Sequence, residues 1–492
     1  MKIRLTMNEM NNMYLRLTVL STLSTLITLS FVPLVGAAET FSAGAATADI
    51  TPQHWPLPMV GSFSERLATH AWDPLNARAL VLDNGTTRLG FVVVDSCYCP
   101  RELFDEAKRR AAELCGMPAD HILASATHTH TAPASRDRRE VDADPQYVEH
   151  VTRGIVSALH QATSNLAPAE IGWGRCQVPE EVNNRRWHLK PGRMPTNPFG
   201  GNEDQVKMNP SRGPNVLDRP AGPIDPEVMF LSVRTRQGRP IALLANYSLH
   251  YVGGIPAGGV SADYFGEFAR QIEKRLFPEG QQDALAPFVG IMSNGTSGDI
   301  NNIQFMTPRP RQNSFEQMRH VASLVADRIT EAMPEVNYLR TVALAMSQSE
   351  LTLKVRKPSA ERVAQAEQFL AEPDDKKLPP RAKAYAKWTQ TLHEHAGTES
   401  LLLQAVRVGD VGITAIPCEV LVEIGLRIKA NSPLKPTFTI ELANGHYGYL
   451  PDPRQHRLGG YETWLGTNML EIQASDKIEA ELSKLLEQVA SP

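Results

Sequence analysis

Residues 121–133 read HILASATHTHTAP: an apolar run from Ile122 to Ala126 that breaks into threonines carrying His128 and His130. A short apolar run that stops abruptly at polar residues reads as a buried strand delivering side chains to a loop. In an extended segment alternate residues point the same way, so His128 and His130 would face one side.

Working outward, residues 77–96 (ARALVLDNGTTRLGFVVVDS) read as two strands around the Asp83-Asn84-Gly85 turn, a strong hairpin signal. Helices are predicted over 101–114, where Phe104, Ala107 and Ala111 recur at helical spacing, and over 147–163. Strands at 241–250 and 286–294 alternate with helices at 264–276 and 314–332. Residues 401–420 are again strand-like, and a helix follows Tyr461. Alternation of this kind specifies an α/β fold. The expectation is a mixed sheet flanked by helices, in one large catalytic domain over residues 38–492. Two insertions interrupt it: an irregular Pro-, Gly- and Asn-rich loop over 190–226, suited to a binding loop or lid, and a charged, Ala-rich helical hairpin over 359–395, broken at Pro379-Pro380.

Composition narrows the class. The 492 residues are 42% hydrophobic and 21% charged with a net charge of −4, and no basic run marks a nucleic-acid-binding arm. Lys2, Arg4 and Arg16 precede an apolar stretch over 17–35 that ends in VGAAET. That is the layout of a secretory signal peptide, residues 1–37, and implies a secreted or periplasmic protein with no integral membrane span after cleavage. An uncleaved anchor helix is the alternative reading; the Ser/Thr content and small-residue exit favour cleavage. Five cysteines (Cys97, Cys99, Cys115, Cys176, Cys418) are too few and irregular for a disulfide framework or a zinc ribbon, though one bridge is possible.

Several polar residues directly follow apolar strands: His128 and His130, His250 after IALLANYSL, Asp299 and Asn301 after PFVGIMSNGTSG, and Glu419 after VGITAIPC. In open α/β sheets ligands bind beyond the carboxyl ends of strands. Imidazoles plus a carboxylate at such positions suit a catalytic zinc site with an open coordination position. The plain alternative is a set of histidines satisfied by hydrogen bonds at strand ends.

TADITP near the start, SATHTHTAP, NYSLH, NGTSGDINN, PCEV and YGYLPDP…YE occur in the order found in neutral ceramidases. The chain resembles that family from about Ala45 to Tyr461; these are secreted zinc amidases that cleave the N-acyl bond of sphingolipids. The resemblance implies Zn²⁺ held by His128, His250, Glu419 and Tyr449, with His130 and Arg185 beside the metal. Two imidazoles, a carboxylate and a phenol form a chemically coherent zinc set. A packed aromatic is the alternative role for Tyr449.

The chain also departs from the family. The serine of the family's GDVSPN is Asn301 here, and an amide cannot serve as nucleophile. Ser297 lies nearby, but on the other side of Gly298. Trp72 replaces a family histidine, with His70 two residues earlier. Family members continue into a C-terminal β-sandwich-like domain, whereas this chain ends soon after Tyr461. A metal-activated water could then replace the serine, with Arg185, His130 or Asn301 facing the oxyanion and His130 moving the proton. Asp263 could orient a metal ligand, or simply cap the helix that follows. Asp299 could serve only the geometry of its Gly-rich turn.

The expected function is thus an exported zinc-dependent amidohydrolase acting on a small-molecule or lipid-like acyl substrate. Two readings compete with it. One is a deacylase or esterase for polar or carbohydrate-linked substrates, which the polar 190–219 loop would suit. The other is a binding protein on the same scaffold that lost catalysis with its serine.

Overall fold

Eight strands form a mixed sheet in the order β8-β7-β6-β5-β1-β2-β3-β4. They are β1 (Ser42–Asp49), β2 (Asn76–Asp83), β3 (Arg88–Val94), β4 (Ile122–Ala126), β5 (Ala167–Gln177), β6 (Glu227–Thr235), β7 (Pro240–Tyr247) and β8 (Val289–Asn294). The pairs β3/β4 and β7/β8 are parallel; the other pairs are antiparallel. The computed structural model describes residues 41–63, 65–136, 142–278 and 286–491, so the expected signal peptide lies outside the described residues. Residues 40–492 form one unit.

The mixed α/β class read from the sequence is the observed one. Helices α1 (Arg101–Cys115), α2 (Pro145–Ser164), α3 (Asp263–Leu276) and α4 (Glu316–Ala332) cover one face of this sheet. α1 buries Phe104, Ala107 and Ala111, as the spacing predicted, and ends at Gly116 in the left-handed conformation (φ 58°) that favours glycine after a helix. α2 starts two residues earlier than periodicity suggested. Asp144 caps it by accepting a 2.8 Å hydrogen bond from the Tyr147 N–H, and Pro145 opens it.

A second sheet covers the other face, in the order β9 (Leu344–Lys354), β10 (Thr398–Val408), β11 (Val411–Ile416), β12 (Thr437–Glu441), with β11/β12 parallel. Leu80, Phe91 and Leu231 of the first sheet share one buried cluster with Val406, Ile413 and Phe438 of the second. Alternate residues of β2, such as Ala79 and Val81, face α1 and α2 instead. A strand buried on both faces reads as continuously apolar, which is why the sequence showed strands but not the second layer. Truncating a buried ring such as Phe438 in such an interior costs about 3–5 kcal/mol. Helices α7 (Val422–Asn431) and α8 (Ala474–Ala490) close the outer face of the second sheet.

The predicted hairpin insertion is α5 (Ala360–Ala371) and α6 (Ala382–Glu394). The 190–226 loop is less irregular than expected: Val206–Met208 and Leu217–Pro220 pair with Arg186–Leu189 in a small sheet. All five cysteines are free. Among the described residues no helix is long and apolar enough to cross a membrane.

Candidate metal centre

The carboxyl ends of the three parallel pairs point to one place. Beyond β4 the chain enters a turn in which His128 adopts φ 77°, a conformation that costs free energy for a residue with a Cβ and clusters at functional sites. The turn is secured by the His128 N–H donating to Ser96 O (2.9 Å). β7 delivers His250 and β8 delivers Ser297. Beyond β11, Glu419–Val420 pairs in parallel with Tyr449–Leu450, so Glu419 and Tyr449 sit side by side in register.

His128 Nε2 lies 3.0 Å from His250 Nε2 and 3.5 Å from Glu419 Oε2. The three residues are at most 5% exposed. Potential ligand atoms of His128, His250 and Glu419 all fall within 4.8 Å of one another.

The hydrogen bonds behind the histidines fix which nitrogen faces the centre. His128 Nδ1 is 2.7 Å from Cys97 O. A carbonyl only accepts, so Nδ1 carries the proton and Nε2 presents its lone pair. His250 Nδ1 is 3.2 Å from Ser297 Oγ, which donates to Glu441 Oε1 at 2.5 Å. With Glu441 ionised, the hydroxyl proton is committed to it, so His250 Nδ1–H donates to Ser297 and Nε2 again faces inward. The other Glu441 oxygen accepts the Val420 N–H at 2.6 Å, tying this chain of bonds to the strand that holds Glu419. Glu419 Oε1 meets His446 Nε2 at 3.2 Å, and His446 stacks on Tyr98 at 4.4 Å.

Glu419 Oε2 is buried with no hydrogen-bond partner among the described residues. Two inward-facing imidazole nitrogens and a buried carboxylate oxygen with no hydrogen-bond partner, all facing one point, suit a bound cation. The residues therefore fit a metal such as zinc, a borderline ion that takes imidazole and carboxylate ligands. Electrostatics separate the imidazoles. Burial pushes His250 and His130 well below the ordinary imidazole range, and the cationic Arg185 and His128 add to this. Burial also opposes charge on His128, but Cys97 and Glu419 outweigh it and raise that imidazole, so its Nε2 holds a proton that a bound metal ion would displace. Glu419, despite burial, is held well below the usual carboxylate range by His128 and His446.

The remaining predicted residues fall as follows. His130 lies beside the centre, Nε2 3.2 Å from His128 Nε2, with its ring stacked on Tyr251 at 3.8 Å. Gly61 packs under that ring; a Cβ there would come within 2.7 Å of it. Arg185 stands behind Tyr449, donating to the Tyr449 hydroxyl (3.0 Å) and Gly298 O (2.7 Å). Burial and Glu419 push the Tyr449 phenol well up, against the pull of Arg185. Asp263 accepts from the N–H groups of Val252 (3.1 Å), Gly253 (2.8 Å) and Tyr264 (2.6 Å), which fixes the segment after His250; burial pushes its carboxyl up to about 6. Asn301 is committed to Asn209 Oδ1 (2.8 Å) and the Ile303 N–H (3.0 Å). Asp299 accepts from the Val422 N–H and Asn184 at 2.8 Å each. Ser297 is fully buried behind His250. None of the last three lines the cleft described below.

That cleft, of about 440 Å³, opens over the centre and is lined by His128, His130, Glu419 and Tyr449 together with the 59–63 segment and α6. The sequence reading missed His446, Glu441, Cys97 and the α6 wall. Glu441 carries the same signal as the others, a carboxylate ending an apolar strand (TFTIE), and His446 stands three residues before Tyr449. Nothing in the sequence announces that Cys97 supplies a backbone carbonyl.

An α/β scaffold whose parallel strand ends converge on buried imidazoles and a carboxylate beneath an open cleft presents a metal-competent centre of the kind enzymes use. The family profile for neutral/alkaline non-lysosomal ceramidase, N-terminal, matches residues 41–309, and the chain belongs to that family. The fold is similar to the crystal structure of neutral ceramidase from Pseudomonas aeruginosa, with TM-score 0.67, 16% identity, and coverage of 91% of this chain and 75% of that one. A structure of ceramidase complexed with C2 is similar to the same degree: TM-score 0.67, 15% identity, 92% and 75% coverage. At these identities the likeness is one of fold.

Proposed function

We propose that this chain is an exported zinc-dependent hydrolase that cleaves an N-acyl amide bond without a serine nucleophile. The observation that carries the reading is the convergence of His128 Nε2, His250 Nε2 and the orphaned Glu419 Oε2 beneath the cleft. Tyr449, in register with Glu419, is the fourth ligand. A zinc ion bound there supplies Lewis acidity and a water acidic enough to act near neutral pH.

The chain's own groups do the rest. His130 faces the cleft and is kept neutral by burial, so its imidazole can take a proton and return it to the departing amine; such a group contributes about 10²–10⁴-fold. Arg185, permanently charged behind Tyr449, favours the phenolate and puts positive charge near the developing oxyanion. Ser297 is excluded from attack by position: its hydroxyl is bonded to Glu441 and faces the rear of His250. Asp263 holds the segment that follows His250. Ceramide is one candidate substrate among N-acyl compounds. The 190–219 loop, which would have suited the competing reading of a polar substrate, does not line the cleft.

The test is hydrolysis of N-acyl substrates by the zinc-loaded protein, with and without a chelator. Loss of activity on chelation, its return with zinc, and retention of most activity in Ser297→Ala relative to His128→Ala support the reading. A trapped acyl-enzyme lost in Ser297→Ala would overturn it.

A further inference from the structure

A second trio of potential ligand atoms adjoins the metal centre. Those of Cys97, His128 and His130 also fall within 4.8 Å of one another, so His128 belongs to both trios. All three residues line the cleft, and Cys97 is the only thiol among the described residues that do. An ion entering the cleft therefore meets sulfur as well as nitrogen. Cys97 Sγ stands 3.8 Å from His128 Nδ1, and the Nε2 atoms of His128 and His130 are 3.2 Å apart.

These donors are held in place. The His130 ring is stacked on Tyr251, and its backbone carbonyl accepts from Arg66 at 2.8 Å. The residues flanking Cys97 are tied as well. Ser96 O accepts the His128 N–H at 2.9 Å, and Tyr98 O accepts the hydroxyls of Ser96 (3.0 Å) and Ser135 (2.6 Å). Ligands fixed in advance lose little freedom when an ion arrives. The two trios differ in donor chemistry. His250 and Glu419 complete the first with nitrogen and a hard carboxylate oxygen; Cys97 and His130 complete the second with nitrogen and soft sulfur. Thiolate selects softer ions than carboxylate does. His128 Nδ1 is engaged by Cys97 O, which leaves Nε2, with one lone pair, to serve one trio or the other.

We propose that Cys97, His128 and His130 form an alternative position for a soft, thiophilic divalent cation of the Cd²⁺ type, mutually exclusive with zinc on His128, His250 and Glu419. As the ion binds, the Cys97 thiol gives its proton to solvent and a metal–sulfur bond forms; nothing is oxidised or reduced. The ion takes from zinc the ligand that the two positions share, and it occupies His130 as well. The inference rests on the first trio as the zinc site and on no step of the hydrolytic reading.

Titration of Cd²⁺ into the zinc-loaded protein tests this. Bound metal is read by elemental analysis, and the metal–sulfur bond by its ultraviolet sulfur-to-cadmium charge-transfer band. Wild type is expected to gain the band and to release one zinc ion for each cadmium bound. Cys97→Ser loses the band and His130→Ala weakens it, and both keep their zinc before cadmium is added. His250→Ala and Glu419→Gln show the reverse, losing zinc and keeping the band. Cys176, the one cysteine that is not buried, is the control: Cys176→Ser leaves the band unchanged. Circular dichroism shows that each variant is folded. No band in wild type, a band that survives in Cys97→Ser, or a band that forms while zinc stays bound overturns the inference and leaves the zinc site intact. A Cys97-dependent band in a protein that takes up no zinc supports the sulfur position and overturns the zinc site.

Discussion

Ser297 Oγ lies 2.5 Å from Glu441 Oε1, and the same hydroxyl stands 3.2 Å from His250 Nδ1. All three residues are at most 1% exposed, so no water relieves them of these partners. Burial pushes the Glu441 carboxyl up to about 8, opposed by the Ser297 hydroxyl and His128, so the ionised form that fixes the His250 tautomer prevails only above that pH unless a dication at the centre lowers it. The arrangement makes Ser297 a positioning residue, and it predicts an asymmetry between two variants. Ser297→Ala removes the acceptor of His250 Nδ1–H and should weaken zinc binding about 10-fold. Glu441→Gln can donate to Ser297 and reverse the chain of bonds, moving the His250 proton to Nε2; its loss should approach 100-fold, the upper range for outer partners of metal ligands. Competition with a fluorescent chelator measures both. Zinc affinity unchanged in Glu441→Gln would show that the chain does not set the tautomer.

By the sequence resemblance Asn301 is expected where the family carries a serine, yet its amide bonds Asn209 and the Ile303 N–H. Asn301→Ala should therefore lower stability by about 1–2 kcal/mol in urea denaturation, the cost of stranding buried partners. Its kcat should stay within about threefold of wild type, well short of what losing an oxyanion donor costs. A kcat loss of 100-fold with unchanged stability would instead put Asn301 at the reacting atoms.

Lys108 is 3% exposed and donates to Asn444 Oδ1. Asn444 belongs to the turn that presents His446 to Glu419. Burial lowers the ammonium to about 7 from its ordinary 10.5. Between those values the unfolded chain holds a proton that the folded protein lacks, so stability rises with pH across that window. Below about pH 7 the full cost remains, of order 4 kcal/mol before compensation. Lys108→Met should stabilise the protein by about 1–3 kcal/mol near pH 6, and the gain should shrink toward pH 10. Denaturation midpoints at the two pH values check this; equal gains at both would contradict it.

The sequence carried much of this centre because one rule applied repeatedly. His128, His250 and Glu419 each follow an apolar strand, and parallel pairing brings those strand ends together. The rule would also have caught Glu441. It could not assign Ser297, whose role depends on which side of His250 its hydroxyl meets, nor Arg185, which acts through Tyr449. Phe91 read as an ordinary hairpin strand residue and Phe438 fell in a stretch with no assigned element, until the second sheet brought them into one core. The hairpin was legible as helices, but its place over the cleft was not, because Trp388 meets Phe63 across more than three hundred residues of chain.

The central claim is that His128, His250 and Glu419 hold one zinc ion. Elemental analysis of the purified protein, dialysed against excess zinc and then free of it, tests this most directly. About one zinc per chain in wild type and almost none in His128→Ala and Glu419→Gln, with the fold intact by circular dichroism, is the predicted result. Equal zinc content in wild type and both variants, or none in any, would contradict the account.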